Sequence, residues 1–416
     1  MKSEEPHILR KDSRGKKTLA TLALFLISLT VCFLIAEFVF AEFYDTDEYR
    51  ISDKLFDPVV GWRTRPGTYW LKPPHSFTKH EVYINRQGLR NKEIPERKVG
   101  VRRLAILGDS FVAGRAVPTE ELFSTLMETH LNAGMENSYE VINAGVPGYG
   151  TAQELLFMKE LANEGIVADM YLVIIFANDI LDNLRLTYSE LHENPVQPGF
   201  VLDEKQNLEL RHTPKYRLFK SSNFISPKEG QSAFKLVGIL KVKIEGYLQT
   251  KPGMVELARS VGLSVEIPRV PGTINAWYRE DLLDMGVPLM KGLIKEMKDQ
   301  AQRYNAYLAV AVIPSSMMVY ADTYGPLLES TFPDSTVTKE FNKDPLRPQR
   351  IAASLCRELN IAFIDLYPVL MEHREEELFV PEEGHFSKSG HAVAGRALAE
   401  FVASQERLRL VNHEGQ

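Results

Sequence analysis

LAILGDSFVAG, residues 104–114, sets a short apolar run against Gly108-Asp109-Ser110 and then returns to small and apolar side chains. An uninterrupted apolar run of strand length reads as a strand buried on both faces of a parallel sheet. In such a sheet the residue after the strand stands at the carboxyl edge, where ligands bind in open α/β folds. Ser110 is therefore a candidate nucleophile. A helix starting there would aim backbone N–H groups at developing negative charge. Gly-Asp-Ser is also ordinary turn chemistry, so partners elsewhere in the chain have to decide the matter. The Gly-x-Ser-x-Gly elbow of α/β-hydrolases is absent, because Val112 stands in its last position.

The same continuous apolar pattern recurs in RLAILG (103–108), YEVINAG (139–145), MYLVIIFA (170–177), YLAVAVI (307–313) and IAFIDL (361–366). Between most of these runs lie segments such as ELFSTLMETHLN and LMKGLIKEMKDQAQRYN, with apolar residues at helical spacing. Strand–helix alternation predicts an α/β fold, a parallel sheet sandwiched by helices. From Asn183 to about Asn275 the alternation stops, and turn-rich sequence surrounds the helical-looking SAFKLVGILKVKIEGYL. A connection of that length is an insertion or subdomain. Its place after the third strand puts it near the carboxyl edge, as a lid or as a structural embellishment. Tyr216, Phe219 and Phe224 within it suit a small core better than a sugar platform.

Thr18 to Ala36 carries no charge and follows Arg10, Lys11, Arg14, Lys16 and Lys17. The run is long enough to span a bilayer, and a basic flank stays cytoplasmic, so the rest of the chain is expected outside. Val39-Phe40-Ala41 would suit a cleavage site, but the apolar run exceeds the usual secretory length. The expected organisation is a cytoplasmic tail (1–17), a transmembrane helix (18–40), an extracytoplasmic lead-in (41–100) without sustained periodicity, extended, partly ordered and packed on the domain, an α/β domain (101–405) with its insertion at about 184–275, and a tail (406–416). With 416 residues, 44% hydrophobic and 25% charged, and a net charge of -6, the chain has globular composition without a nucleic-acid footprint. Cys32 and Cys356, the only cysteines, give no disulfide framework, and no Cys/His cluster has zinc spacing.

A nucleophilic serine needs a base. Near the C-terminus, LFVPEEGHFSKSGHAVAGRALAEF places Glu382 and Glu383 just before His385, with His391 on what reads as the closing helix. An acid close to an imidazole can fix its tautomer and stabilise the imidazolium; His391 reads as structural. NAGVPGYGT after the second strand supplies a glycine loop, and FANDI after the third puts Asn178 at a strand end. The Ser110 N–H, a glycine N–H and the Asn178 amide could together hold an oxyanion. Asp109 and Asp179 are expected to hold their loops.

These blocks, in this order, resemble the SGNH/GDSL hydrolase family over about residues 102–402, the insertion apart. The resemblance implies a three-layer αβα sandwich with a flavodoxin-like parallel sheet. It implies Ser110 as nucleophile, His385 as base, and Ser110, Gly148 and Asn178 as oxyanion donors; Gly148 is preferred to Gly145 because it stands five residues after Asn143. The family usually carries Asp before the histidine. Here the acid would be Glu383, with Glu382 the alternative. No metal or organic cofactor is implied. VYINRQGLRN (82–91) resembles a segment that precedes this domain in membrane-anchored bacterial members; Arg90 in it has no catalytic role to suggest, although a basic residue there could contact the domain.

The function so implied is a membrane-anchored serine esterase that removes O-acetyl groups from a carbohydrate, or acts on another ester, through an acyl-serine. It would lie outside a bacterial inner or plasma membrane, in the periplasm if Gram-negative. The alternatives are an O-acetyltransferase for a cell-surface polysaccharide, and a non-catalytic glycan-binding scaffold on the same fold.

Overall fold

The computed structural model describes residues 13–43, 54–71, 79–114, 117–134, 138–184, 196–216, 274, 276–380 and 384–414. The chain divides into two units, residues 1–47 with 228–267 and residues 48–227 with 268–416. In the first, the described element is helix α1 (Ser13–Phe43), whose stretch Thr18–Phe38 is long and apolar enough to cross a membrane. The helical-looking stretch 232–248 of the insertion, with Phe219 and Phe224, lies outside the described residues.

The second unit is built on five strands: β5 (Arg102–Gly108), β6 (Tyr139–Gly145), β7 (Met170–Ile175), β10 (Tyr307–Val312) and β11 (Ala362–Asp365). They pair in the order β11-β10-β7-β5-β6, every pair parallel. Counted along the sheet this is 2-1-3-4-5, the doubly wound flavodoxin-like order. All six residues of β7 are buried, and so are the last six of β5. That is why both sequences are continuously apolar instead of alternating.

Helices cover both faces. Helix α4 (Thr151–Asn163) packs on α6 (Glu280–Arg303), and α3 (Phe123–Leu131) packs on α12 (Lys388–Glu414). In α6 the buried residues Leu282, Leu283, Gly286, Leu289, Met290, Leu293, Ile294 and Met297 recur at helical spacing on one stripe. The chain moves outward from β5 to β6 through α3, then back across β5 to β7 through α4. Right-handed crossovers place these two helices on opposite faces and leave the switch point between β5 and β7.

The lead-in is more ordered than its aperiodic sequence predicts. It forms two antiparallel ribbons, β1 (Lys54–Asp57) with β2 (Gly61–Thr64), and β3 (Gly67–Leu71) with β4 (His80–Ile84). Asp57 Oδ1 accepts the Val59 and Val60 N–H groups and closes the first turn. Trp62 is buried against the loop after β6: its Nε1 donates to Pro147 O at 3.3 Å, and Tyr149 Oη donates to Trp62 O at 2.5 Å. A third ribbon, β8 (Gly199–Leu202) with β9 (Leu208–His212), is the described part of the insertion. Tyr216 beyond it meets Phe56 edge-on but is exposed, so it is not part of a core.

Candidate active site

The carboxyl edge of the sheet gathers the polar residues that follow its strands. After β5 the chain enters a short helix, α2 (Ser110–Ala113), capped by Asp109, whose Oδ1 accepts the Phe111 N–H at 2.9 Å. Gly145, at the end of β6, lets this helix sit directly on the sheet. A Cβ there would lie 2.3 Å from Ala113 N and 2.6 Å from Val112 Cβ. The glycine of NAG is a packing requirement of helix α2.

Ser110 Oγ and His385 Nε2 lie 2.8 Å apart, although the residues are 275 positions apart in sequence. That is hydrogen-bond distance between a hydroxyl and an imidazole nitrogen. The histidine is held by a tight reversal: Val380 N–H donates to His385 O at 2.8 Å, and Gly384 N–H donates to Val380 O at 3.0 Å. A bridge between Phe379 and Phe386 closes the base of the reversal. The His385 ring lies against Phe111, centroids 4.8 Å apart, and Phe111 in turn packs on Phe176 and Phe386. Glu382 and Glu383 lie outside the described residues.

Asn178 joins Ser110 and His385 in lining one cavity of about 800 Å³, with Tyr320, Tyr324 and Arg374 on its walls. Asn178 Nδ2 donates to Asp182 Oδ2 at 2.7 Å, and the same amide also bonds the Asp109 carboxyl. Gly148 takes φ +82°, a left-handed conformation that glycine adopts freely. It sits against Trp62 and Lys54, and its carbonyl accepts from Gln197 Nε2 at 3.3 Å. Gly148 is not among the residues found lining the cavity.

The other polar residues singled out in the sequence are structural. Asp179 Oδ1 accepts from both the N–H and the hydroxyl of Thr151, and its Oδ2 accepts the Phe176 N–H at 2.7 Å. This ties the end of β7 to the start of α4. Burial, with Asp109 nearby, pushes the Asp179 carboxyl well up from its ordinary range. Burial also raises Asp109, opposed by the Phe111 N–H and by the His385 charge. His391 is buried, and its Nδ1 accepts the Phe123 N–H at 3.2 Å, satisfying the first donor of α3. Burial holds this imidazole down at about 3, so it stays neutral. The Cys356 thiol, also buried, is pushed up to about 12 and offers no competing nucleophile.

Three features were incompletely read or missed in the sequence. Arg90 contacts the domain as a basic residue there could, but its target, the far end of α2, was not marked. The cavity walls Tyr320, Tyr324 and Arg374 come from helices after β10 and β11, where no motif marks them. Glu154 lies buried in the first turn of α4, with neither carboxylate oxygen hydrogen-bonded, beside Asp179, Asp109 and Asp182. In the sequence it is one more polar residue of an amphipathic helix. Among the described residues no group of His, Cys, Asp or Glu side chains is placed to hold a metal ion.

No family model and no curated protein matches the chain. Solved structures similar to it include a member of the G-D-S-L lipolytic family from Veillonella parvula, with 12% identity, 72% of this chain and 97% of that chain covered, and a TM-score of 0.33. The esterase EstA from a Pseudoalteromonas species has 12% identity, coverage of 74% and 99%, and a TM-score of 0.36. A catalytic mutant of an acetylxylan esterase from Geobacillus stearothermophilus has 13% identity, coverage of 74% and 96%, and a TM-score of 0.34. The fold rests on the strand order and parallel register given above.

Proposed function

We propose that the protein is an ester hydrolase of the SGNH type that works through an acyl-serine. The observation that carries this reading is the 2.8 Å contact between Ser110 Oγ and His385 Nε2 at the carboxyl edge of the sheet, inside a cavity that also holds Asn178. In the proposed reaction Ser110 Oγ attacks the acyl carbon and its proton passes to His385 Nε2. The tetrahedral oxyanion is held by the Ser110 and Gly148 N–H groups and by the Asn178 amide. His385 then returns the proton to the leaving alcohol, and water, deprotonated by the same ring, releases the acid. Glu383 is the proposed acid behind His385, with Glu382 the alternative.

An acetyl ester on a carbohydrate is the substrate proposed. A cavity of about 800 Å³ is much larger than an acetyl group needs, and supports a leaving group of sugar size. The apolar stretch Thr18–Phe38 behind a basic flank supports single-pass anchoring, with residues 41–416 outside the cytoplasm.

The test is hydrolysis of 4-nitrophenyl acetate and of acetylated oligosaccharides by the full chain, beside Ser110→Ala and His385→Ala. Loss of turnover in both variants, with folding intact, is expected. Equal rates in all three would overturn the serine mechanism. Acetyl transfer to an added glycan at the expense of hydrolysis would replace the esterase by a transferase.

A further inference from the structure

Helix α2, which carries Ser110, is four residues long and cannot hold itself. A helix leaves its last carbonyls without intrahelical partners, and in one this short those are most of the carbonyls it has. The described bonds within it are Ala113 N–H to Asp109 O and Gly114 N–H to Ser110 O, both 3.0 Å. Everything beyond them is supplied from outside. Val112 O accepts from Asn143 Nδ2 at 2.6 Å. The next carbonyls are collected by one side chain, Arg90, which donates from Nη1 to Ala113 O at 3.5 Å and to Gly114 O, and from Nη2 to Val117 O at 2.6 Å.

Arg90 belongs to the lead-in, and the lead-in is built to deliver it. Asn85 Oδ1 accepts the Gln87 and Leu89 N–H groups at 3.1 and 3.0 Å, making a closed turn, and Leu89 is fully buried. Asn91, on the other side of the arginine, pairs with the backbone of β6. Its Nδ2 donates to Asn143 O at 2.6 Å and its Oδ1 accepts the Asn143 N–H at 3.2 Å. Arg90 is therefore pinned on both sides and is buried, the residue being 2% exposed. A cation at a helix carboxyl end also opposes the partial negative charge there.

We infer that Arg90 is a positioning residue: by closing the carboxyl end of the nucleophile helix, it sets Ser110 Oγ in reach of His385 Nε2. This rests on the serine mechanism proposed above. The planar fork is what the geometry uses, since its nitrogens span three carbonyls that one ammonium on a flexible stem cannot span together. A lysine keeps the charge and loses the span.

The experiment compares the full-length wild type with R90K and R90Q, and with R103K as control. Arg103 is equally buried but lies toward the amino end of β5, where it bonds Glu140 and Pro95 O. Three quantities are read for each: the rate of Ser110 labelling by an activated ethyl phosphonate, kcat and KM for 4-nitrophenyl acetate, and the urea midpoint. Rates are taken well below each midpoint, and two Arg90 variants are made so that a folded protein lacking the fork is read. The expected result is a fall of about 10- to 100-fold in labelling and in kcat for R90K and R90Q, with KM changed less than about twofold. R103K should lower the midpoint and leave both rates near wild type. Wild-type labelling rates in folded R90K and R90Q would overturn the inference, as would losses in R103K that match theirs. Failure of the wild type itself to be labelled would instead overturn the serine mechanism.

Discussion

Acid should destabilise this protein through one buried ring that takes no part in the chemistry. His391 packs on Phe123, accepts that residue's N–H at 3.2 Å, and is held down at about 3 by burial, with Arg90 and His385 adding repulsion. In the unfolded chain a histidine titrates near 6.5. A base whose folded pKa is depressed gives stability that is complete above the unfolded value and is lost as pH falls toward the folded one. Between pH 8 and pH 5 the unfolded ring gains its proton and the folded ring does not. Integrating over that interval gives a loss of about 2 kcal/mol from this group alone. His391→Asn retains an acceptor for the Phe123 N–H and no longer titrates. It should cost about 1–3 kcal/mol in lost packing at pH 8, and its stability should fall by about 2 kcal/mol less than wild type on going to pH 5. Urea unfolding followed by the fluorescence of buried Trp62 and Trp277 measures both terms. The other titrating groups are common to the two proteins and cancel in the difference. Parallel pH dependences would refute the reasoning, because they would mean that His391 does not change protonation on unfolding.

Glu154→Gln should act with the opposite sign. Burial and neighbouring acids raise the folded Glu154 carboxyl well above its ordinary range, so its contribution is complete below about 4.5 and is lost as pH rises. The amide should therefore be near neutral at pH 4 and stabilise by about 1–3 kcal/mol at pH 8, read as a shift in thermal midpoint at the higher pH only. Gly145→Ala puts a Cβ 2.3 Å from Ala113 N, a backbone atom that can yield only if α2 moves. Overpacking should cost about 1–3 kcal/mol, and displacement of Ser110 should lower kcat by about 10-fold or more; urea unfolding and steady-state rates measure the two separately.

The strands were legible because burial on both faces leaves a mark that local sequence can carry. YEVINAG begins and ends where β6 does, and MYLVIIFA overruns β7 only by the two residues that lead toward Asn178. Ser110 and His385 were legible for a different reason: chemistry restricts the residue types, and the sheet restricts where they can stand. That the lead-in is extended and packs on the domain was legible, but its ribbons were not, because what orders them is distant. Trp62 is buried by Pro147 and Tyr149, and nothing in residues 54–71 announces that partner. Arg90 was marked by a motif and left without a role, since its ligands are carbonyls, which every residue possesses. Glu154 shows the same limit from the other side. Helical spacing says which face of α4 meets the sheet, but the burial of its first turn depends on Gln153 meeting Val60 O and Gln197.

These contacts explain why the region before the first sheet strand belongs to the site. A nucleophile on a long helix could rely on that helix's own bonds for its position. Ser110 stands on one turn of helix, so its position is fixed by chain segments that are distant in sequence. Arg90 holds the carboxyl end, Asn143 holds Val112 O, Gly145 admits the backbone, and Phe386 with His385 closes over Phe111. Each segment is also tied to another: Asn91 to Asn143, and His391 to the Phe123 that begins α3. On the inference drawn for Arg90, Ser110 Oγ and His385 Nε2 meet at 2.8 Å when the lead-in, the sheet and the C-terminal helix have docked. Docking of the lead-in is then a condition for a reactive serine. On this view residues 82–91 are a structural component of the catalytic unit, even though none of them lines the cavity.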